Sequence, residues 1–178
     1  MNRPVDICSV DLGNAPDKLR RANKVALFGN GGNLAVAQHM ASDITRHTGK
    51  FCYAPDSVHT TALGGDGDWK IAWMQYAEFA DLVIGITCRN TSGISNAMLE
   101  VKDKCDTLLI CPQQHRDLDT LIIPAISYHQ FEVYALWTIY MLMEEIGVDL
   151  PKLPHIMDNI SKPLDVHDTF LTLSLNQS

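Results

Sequence analysis

The chain has 178 residues, 46% of them apolar and 20% charged, with a formal net charge of −7. This is enough apolar material for one sizeable core and too little chain for two, and the acidic balance disfavours binding along a nucleic-acid backbone. Cys8, Cys52, Cys88, Cys105 and Cys111 never fall in a C-x-x-C spacing, which predicts reduced thiols in a soluble cytoplasmic protein and no zinc framework; the absence of an apolar run of membrane-spanning length leads us to expect neither an anchor nor a secretory leader.

Before Asn23 a weak amphipathic pattern through Val10, Leu12 and Leu19 predicts a short helix or an arm. Val25 to Phe28 is an unbroken apolar run of strand length, the loop Gly29-Asn30-Gly31-Gly32-Asn33 follows at once, and Leu34 to Ile44 carries helical spacing. Glycine in that loop permits positive φ and close backbone approach, while the helix start offers unpaired N–H groups and a positive dipole end. A bound anion, most simply phosphate, fits there; an ordinary glycine-rich turn is the plainer reading. The loop is neither a Walker motif nor a dinucleotide fingerprint, because no Lys-Ser/Thr pair follows and G-x-G-x-x-G is absent. His39 and Asp43 stand four apart on one face of the predicted helix.

Phe51 to Tyr53 reads as a second strand, and Val58 to Leu63 leads into the glycine-rich 64–68, predicted as a loop before a helix with Trp69, Trp73 and Tyr76. Leu82 to Ile86 is continuously apolar, as expected of a parallel strand covered on both faces. Thr87 to Ser95 is a second polar loop, in which Asn90, Thr91, Ser92, Gly93 and Ser95 gather hydroxyls and amides before a helix predicted over Ala97 to Lys104. Such a loop wraps a phosphate monoester without lysine, or is simply a serine-rich helix cap. Strands at Thr107 to Cys111 and Leu121 to Ile126 and a long helix from His129 to Ile146, closed by Gly147, complete the alternation. The pattern predicts a doubly wound parallel sheet, with ligands beyond the carboxyl ends of its strands. Residues 1–150 form the domain, and 151–178, punctuated by Pro151, Pro154 and Pro163, form an appendage.

Three stretches together carry a resemblance. Gly29-Asn30-Gly31-Gly32-Asn33 with Ala37-Gln38-His39-Met40-Ala41, Thr61-Ala62-Leu63 through Asp66, and Leu82 to Ile86 with Thr91-Ser92-Gly93-Ile94-Ser95-Asn96 resemble the signatures of the sugar isomerase (SIS) domain family, nearest its sedoheptulose 7-phosphate, or phosphoheptose, isomerases. The resemblance spans roughly Val25 to Ile146. It implies a flavodoxin-like αβα sandwich with a five-stranded parallel sheet, assembled as a homodimer or homotetramer. The implied ligand is a phosphosugar held by Asn30, Gly31, Gly32, Asn33, Asp66, Asn90, Thr91, Ser92 and Ser95. The implied reaction is aldose–ketose isomerisation through an enediol, with Asp43, His39 and Glu132 as proton-handling candidates. His39 and Asp43 match the pair where some members hold zinc, which makes zinc the one cofactor the resemblance brings in.

The chain also departs from that pattern. The family's R-x-Q-E-x-H stretch reads His129-Gln130-Phe131-Glu132-Val133-Tyr134 here, so Glu132 matches while two histidines do not, and Cys88-Arg89-Asn90 is inserted before the hydroxyl loop. A four-ligand metal site is therefore incomplete, unless His59, His129 or Gln130 fills it. Each residue has a structural alternative: His39 as a helical histidine beside an acid, Asp43 paired with Arg46 or His47, Glu132 paired at a subunit contact, Arg89 facing water, and Trp69, Trp73 and Trp137 as packing. Three functions stay open: a phosphosugar isomerase of the phosphoheptose kind, a non-catalytic phosphosugar- or partner-binding protein, and an isomerase or lyase acting on a different phosphosugar with the Pro-rich tail completing its site; no nucleic acid or membrane is expected.

Overall fold

The apolar runs become the strands of one sheet in the computed structural model, which describes residues 10–66, 69–90 and 92–150. Thr91, the side chain of Asp66 and the appendage 151–178 lie outside the described residues. Helix α1 (Ala15–Arg21) precedes β1 (Lys24–Gly29), α2 (Gly32–Thr48) and β2 (Phe51–Tyr53). Helices α3 (Ser57–Asp66) and α4 (Trp69–Ala77) lead to β3 (Leu82–Ile86), then α5 (Gly93–Val101), β4 (Asp106–Cys111), β5 (Thr120–Ile122) and α6 (Tyr128–Glu145). All five strands are parallel, in the order β2-β1-β3-β4-β5. The expected flavodoxin-like sandwich is what the chain forms.

Two cores cover the sheet. On one face Leu27, Ile84 and Ile110 meet Met40 and Ile44 of α2 and Ile139 of α6; on the other Phe28 and Val83 meet Trp73 of α4 and Met98 of α5. Along the central strands residues alternate between the two cores, which is why β3 is apolar throughout and β1 nearly so; the edge strand β2 is not covered in this way, and Phe51 is exposed. Trp73 is wholly buried, whereas Trp137 is about half exposed. The strand order reverses between β1 and β3, where Gly29 pairs with Ile86 at the carboxyl ends. In doubly wound sheets that junction is the crevice where ligands bind.

Three sequence expectations are corrected. Residues 57–66 form a helix where glycines 64 and 65 had suggested a loop. Asp56 starts it by accepting the His59 N–H, and Thr60 and Thr61 donate to carbonyls of the preceding turn. Helix α5 begins at Gly93 and not at Ala97, because Ser92 and Ser95 form a reciprocal capping box. Strand β5 ends at Ile122 and not at Ile126, as Pro124 has no N–H to offer a ladder.

Two polar devices fix the periphery. At the outer edge, the Thr45 hydroxyl donates to the Cys52 carbonyl at 3.4 Å and accepts the Cys52 N–H at 3.1 Å, tying the middle of β2 to α2. At the sheet's amino end Lys18, only 7% exposed, donates to the Thr107 carbonyl at 2.8 Å and pairs with Asp119. The Lys18 hydrogen bond holds the Asp119 carboxyl below its ordinary range. A carboxylate with a depressed folded-state value adds stability above its unfolded value, near 3.9, and loses it as pH falls through the folded one. Lys18→Met is therefore expected to lower unfolding free energy at neutral pH by about 1–3 kcal/mol. Urea titrations should show that gap narrowing as the pH is taken below about 4.

Candidate functional site

Gly31 opens α2 at φ 58°, a left-handed conformation that glycine adopts without strain. Gly32, the first residue of the helix, is bare for a different reason: a β-carbon there would collide with the Glu132 carboxylate. A carboxylate reaching across from α6 thus lies over the start of α2, where the helix dipole favours negative charge. Glu132 keeps 29% of its side chain exposed and stands 3.8 Å from Nδ1 of the exposed His129. Gly29 is equally constrained, since a β-carbon would strike the Asn33 carbonyl.

Beside this carboxylate, Asn33 is 8% exposed and its Nδ2 faces Cys88 Sγ at 3.8 Å, while its Oδ1 is buried with no hydrogen-bond partner. Burial pushes the Cys88 thiol up, the Glu132 charge adds to that, and Asn33 and Arg89 oppose it. The thiol is therefore protonated at neutral pH. From the same strand end Arg89 reaches the Tyr128 hydroxyl at 3.4 Å. A cavity of about 540 Å³ opens here over the ends of β3 and β4, bounded by Cys88, Pro112, Gln113, Ser127, Tyr128 and Phe131 among others.

The hydroxyl loop is partly committed to its helix. Ser95 is fully buried, and its hydroxyl donates to the Ser92 carbonyl at 2.9 Å and accepts the Ser92 N–H at 2.8 Å. Ser92 Oγ accepts the Ser95 N–H at 3.2 Å. Ser92 remains partly exposed, and Asn30 and Asn90 stand at the ends of β1 and β3. The capping reading of the loop is the one the structure shows; a helix start is also where an anion is favoured.

His39 and Asp43 form a second cluster. Tyr140 of α6 donates to Asp43 Oδ2 at 2.5 Å, which leaves its oxygen as acceptor for His39 Nε2 at 3.1 Å; His39 Nε2 also lies 3.3 Å from Asp43 Oδ2. Burial and then Asp43 push the Tyr140 hydroxyl up to about 12, so it stays protonated. Because α2 meets Glu132 at its first residue and Tyr140 near Asp43, α2 and α6 run parallel. Glu132 and Tyr140 are eight residues apart on α6, or roughly 12 Å along its axis. Within one chain the three proton-handling candidates therefore occupy two places.

Among the described residues no three His, Cys, Asp or Glu side chains are grouped to hold a metal. His59 stacks edge-on against Tyr76 in an aromatic cavity of about 810 Å³ at the opposite end of the sheet, beside Lys24 and Phe51. Gln130 donates to the Tyr134 hydroxyl and accepts the Ile126 N–H, and His129 points at Glu132. None of the three joins His39 and Asp43. The aromatic cavity is the larger, but it gathers none of the sequence-predicted site residues except His59.

Sequence reasoning did not find Tyr140 beside Asp43 or Cys88 beside Asn33. The signal for Tyr140 was its place on the helix that carries Glu132, and for Cys88 its position just after β3.

No protein-family model matches the chain. It is 32% identical over 107 residues to a phosphoheptose isomerase of Aliarcobacter butzleri, covering 53% of this chain and 57% of that one. It is 34% identical over 101 residues to a phosphoheptose isomerase of Aquifex aeolicus, covering 51% of each. The chain spans about half the length of the curated relatives it matches. In fold it resembles a phosphoheptose isomerase from Francisella tularensis, with a TM-score of 0.65 at 18% identity, covering 80% of this chain and 89% of that one.

Proposed function

We propose that this SIS-domain chain, phosphoheptose-isomerase-like in sequence and fold, catalyses aldose–ketose isomerisation of a phosphosugar, sedoheptulose 7-phosphate being the first candidate. The observation that carries the reading is the placement of Glu132, a half-buried carboxylate held over the first residue of α2 at the junction of β1 and β3. The phosphate goes to the start of α5, where first-turn N–H groups and Ser92 favour an anion. Glu132 takes the proton from the hydroxyl-bearing carbon next to the carbonyl, the carbonyl oxygen gains a proton, and an enediol forms. Returning the proton to the neighbouring carbon, with loss of the other hydroxyl proton, completes the exchange, and no electrons enter or leave. His39 and Asp43 lie too far along α2 to reach the same carbon within one copy of the chain. No step is assigned to a metal.

An enediol intermediate exposes the transferred proton to water. Incubation in deuterated water with sedoheptulose 7-phosphate, and with a panel of other ketose and aldose phosphates, is therefore expected to place deuterium at the carbon next to the carbonyl of one member, read by NMR. Silence across the panel, with one phosphosugar bound tightly in a thermal-shift assay, would replace catalysis by binding alone.

A further inference from the structure

At the amino ends of β1 and β2, away from the crevice at the carboxyl ends, aromatic side chains line the cavity of about 810 Å³. The rings of Phe51 and Tyr53 on β2 are centred 5.4 Å apart, and those of Tyr53 and Tyr76 on α4 are centred 5.9 Å apart. Phe79, just past α4, adds another ring. Phe51 and Phe79 are 63% and 67% exposed, although both are large and apolar. The walls are fixed before anything binds: the Tyr53 hydroxyl donates to the Tyr76 carbonyl at 2.5 Å, and Thr45 holds the Cys52 backbone. Little ordering is left for a ligand to bear. Lys24, Gln75 and Glu78 complete the lining, and none of these three side chains makes a hydrogen bond or ion pair among the described residues. Lys24 acts on the Asp81 carboxylate only through space. Ligand clefts of about 300–1,000 Å³ are built in this way, with apolar and aromatic walls and a few polar groups that orient the ligand. The free charges are one of each sign. A purely apolar ligand would use neither, and a nucleotide phosphate attracted by Lys24 would be repelled by Glu78.

We propose that this cavity is a second ligand site, separate from the phosphosugar site, for a small aromatic zwitterion of the amino-acid kind. The ring lies against Phe51, Tyr53, Tyr76 and Phe79, Lys24 holds the anionic group and Glu78 the cationic one. The proposal stands apart from the isomerase reading, because no residue that lines this cavity handles the phosphosugar.

Calorimetric titration of the full chain with L-tryptophan, L-phenylalanine, indole, adenosine monophosphate and N-acetyl-tryptophanamide tests the site. One of the two amino acids is expected to bind more tightly than indole, the nucleotide or the blocked amide, and saturating sedoheptulose 7-phosphate should not displace it. Phe79→Ser removes one wall at an exposed position, so the fold survives, and it should weaken the amino acid and indole alike by roughly ten-fold. Lys24→Gln, also at an exposed position, should weaken the amino acid several-fold and leave indole unchanged. Failure of both amino acids to bind, tighter binding of indole or the nucleotide, or equal loss of amino acid and indole on Lys24→Gln would overturn the proposal. Displacement by the sugar phosphate would overturn it too, by placing both ligands in one site. Tighter binding of the blocked amide would overturn it in favour of an aromatic side chain presented by a protein partner.

Discussion

Glu132→Gln is expected to lower turnover of the isomerised phosphosugar by roughly 10²–10⁴-fold while leaving its dissociation constant nearly unchanged. The amide has the same shape as the carboxylate, so packing over Gly32 survives, but it cannot take up the proton. A structural account predicts otherwise. The only ion pair of Glu132 among the described residues is with His129, whose side chain is 96% exposed, and exposed pairs of this kind add little to stability. If the pair were all Glu132 does, neither turnover nor stability would move appreciably. Steady-state kinetics beside a binding titration separates the two, and unchanged turnover would remove Glu132 from the mechanism.

Gly32→Ala is expected to produce a similar kinetic loss by a different route. Gly32 has no positive φ to forbid a side chain, and alanine is the better helix former by up to about 1 kcal/mol. Its methyl group, however, would occupy the space of the Glu132 carboxylate. Moving a reacting group by about 1 Å can reduce rate by about 10²-fold. Turnover is therefore expected to fall about that far while the thermal midpoint stays level or rises, which differential scanning calorimetry would show. A parallel fall in stability and activity would mean that the helix start, and not the carboxylate, had been damaged.

The central strands were legible because they are buried on both faces and read as continuous apolar runs, as at Leu82 to Ile86; Phe51 to Tyr53 also falls where the sequence places it, although it is an edge strand with Phe51 exposed. Element ends were harder. Ser95 reads as loop in isolation and becomes helix only because Ser92 caps its N–H. Glycines 64 and 65 suggest a break, yet Asp56 starts a helix that runs through them. Of the candidate site, the two loops and Glu132 could be picked out along the chain, since each follows or opposes a strand end. That Glu132 meets Gly32, while His39 and Asp43 meet Tyr140, depends on the parallel packing of two helices about a hundred positions apart in sequence. Hydrophobic spacing shows which face of each helix is buried but not how far one is slid along the other.

The Thr45 hydroxyl on Cys52 has a consequence for how this chain meets others. Cys52 is the middle of a three-residue strand at the rim of the sheet, and its outward N–H and carbonyl are both already engaged. An incoming strand would find no rung to grasp there, so a peptide or a misfolded neighbour is denied the template that open sheet margins offer. At this rim, contact with a copy or partner falls to side chains and helices and not to a shared strand, whereas β5 at the far edge of the sheet is not closed by this device.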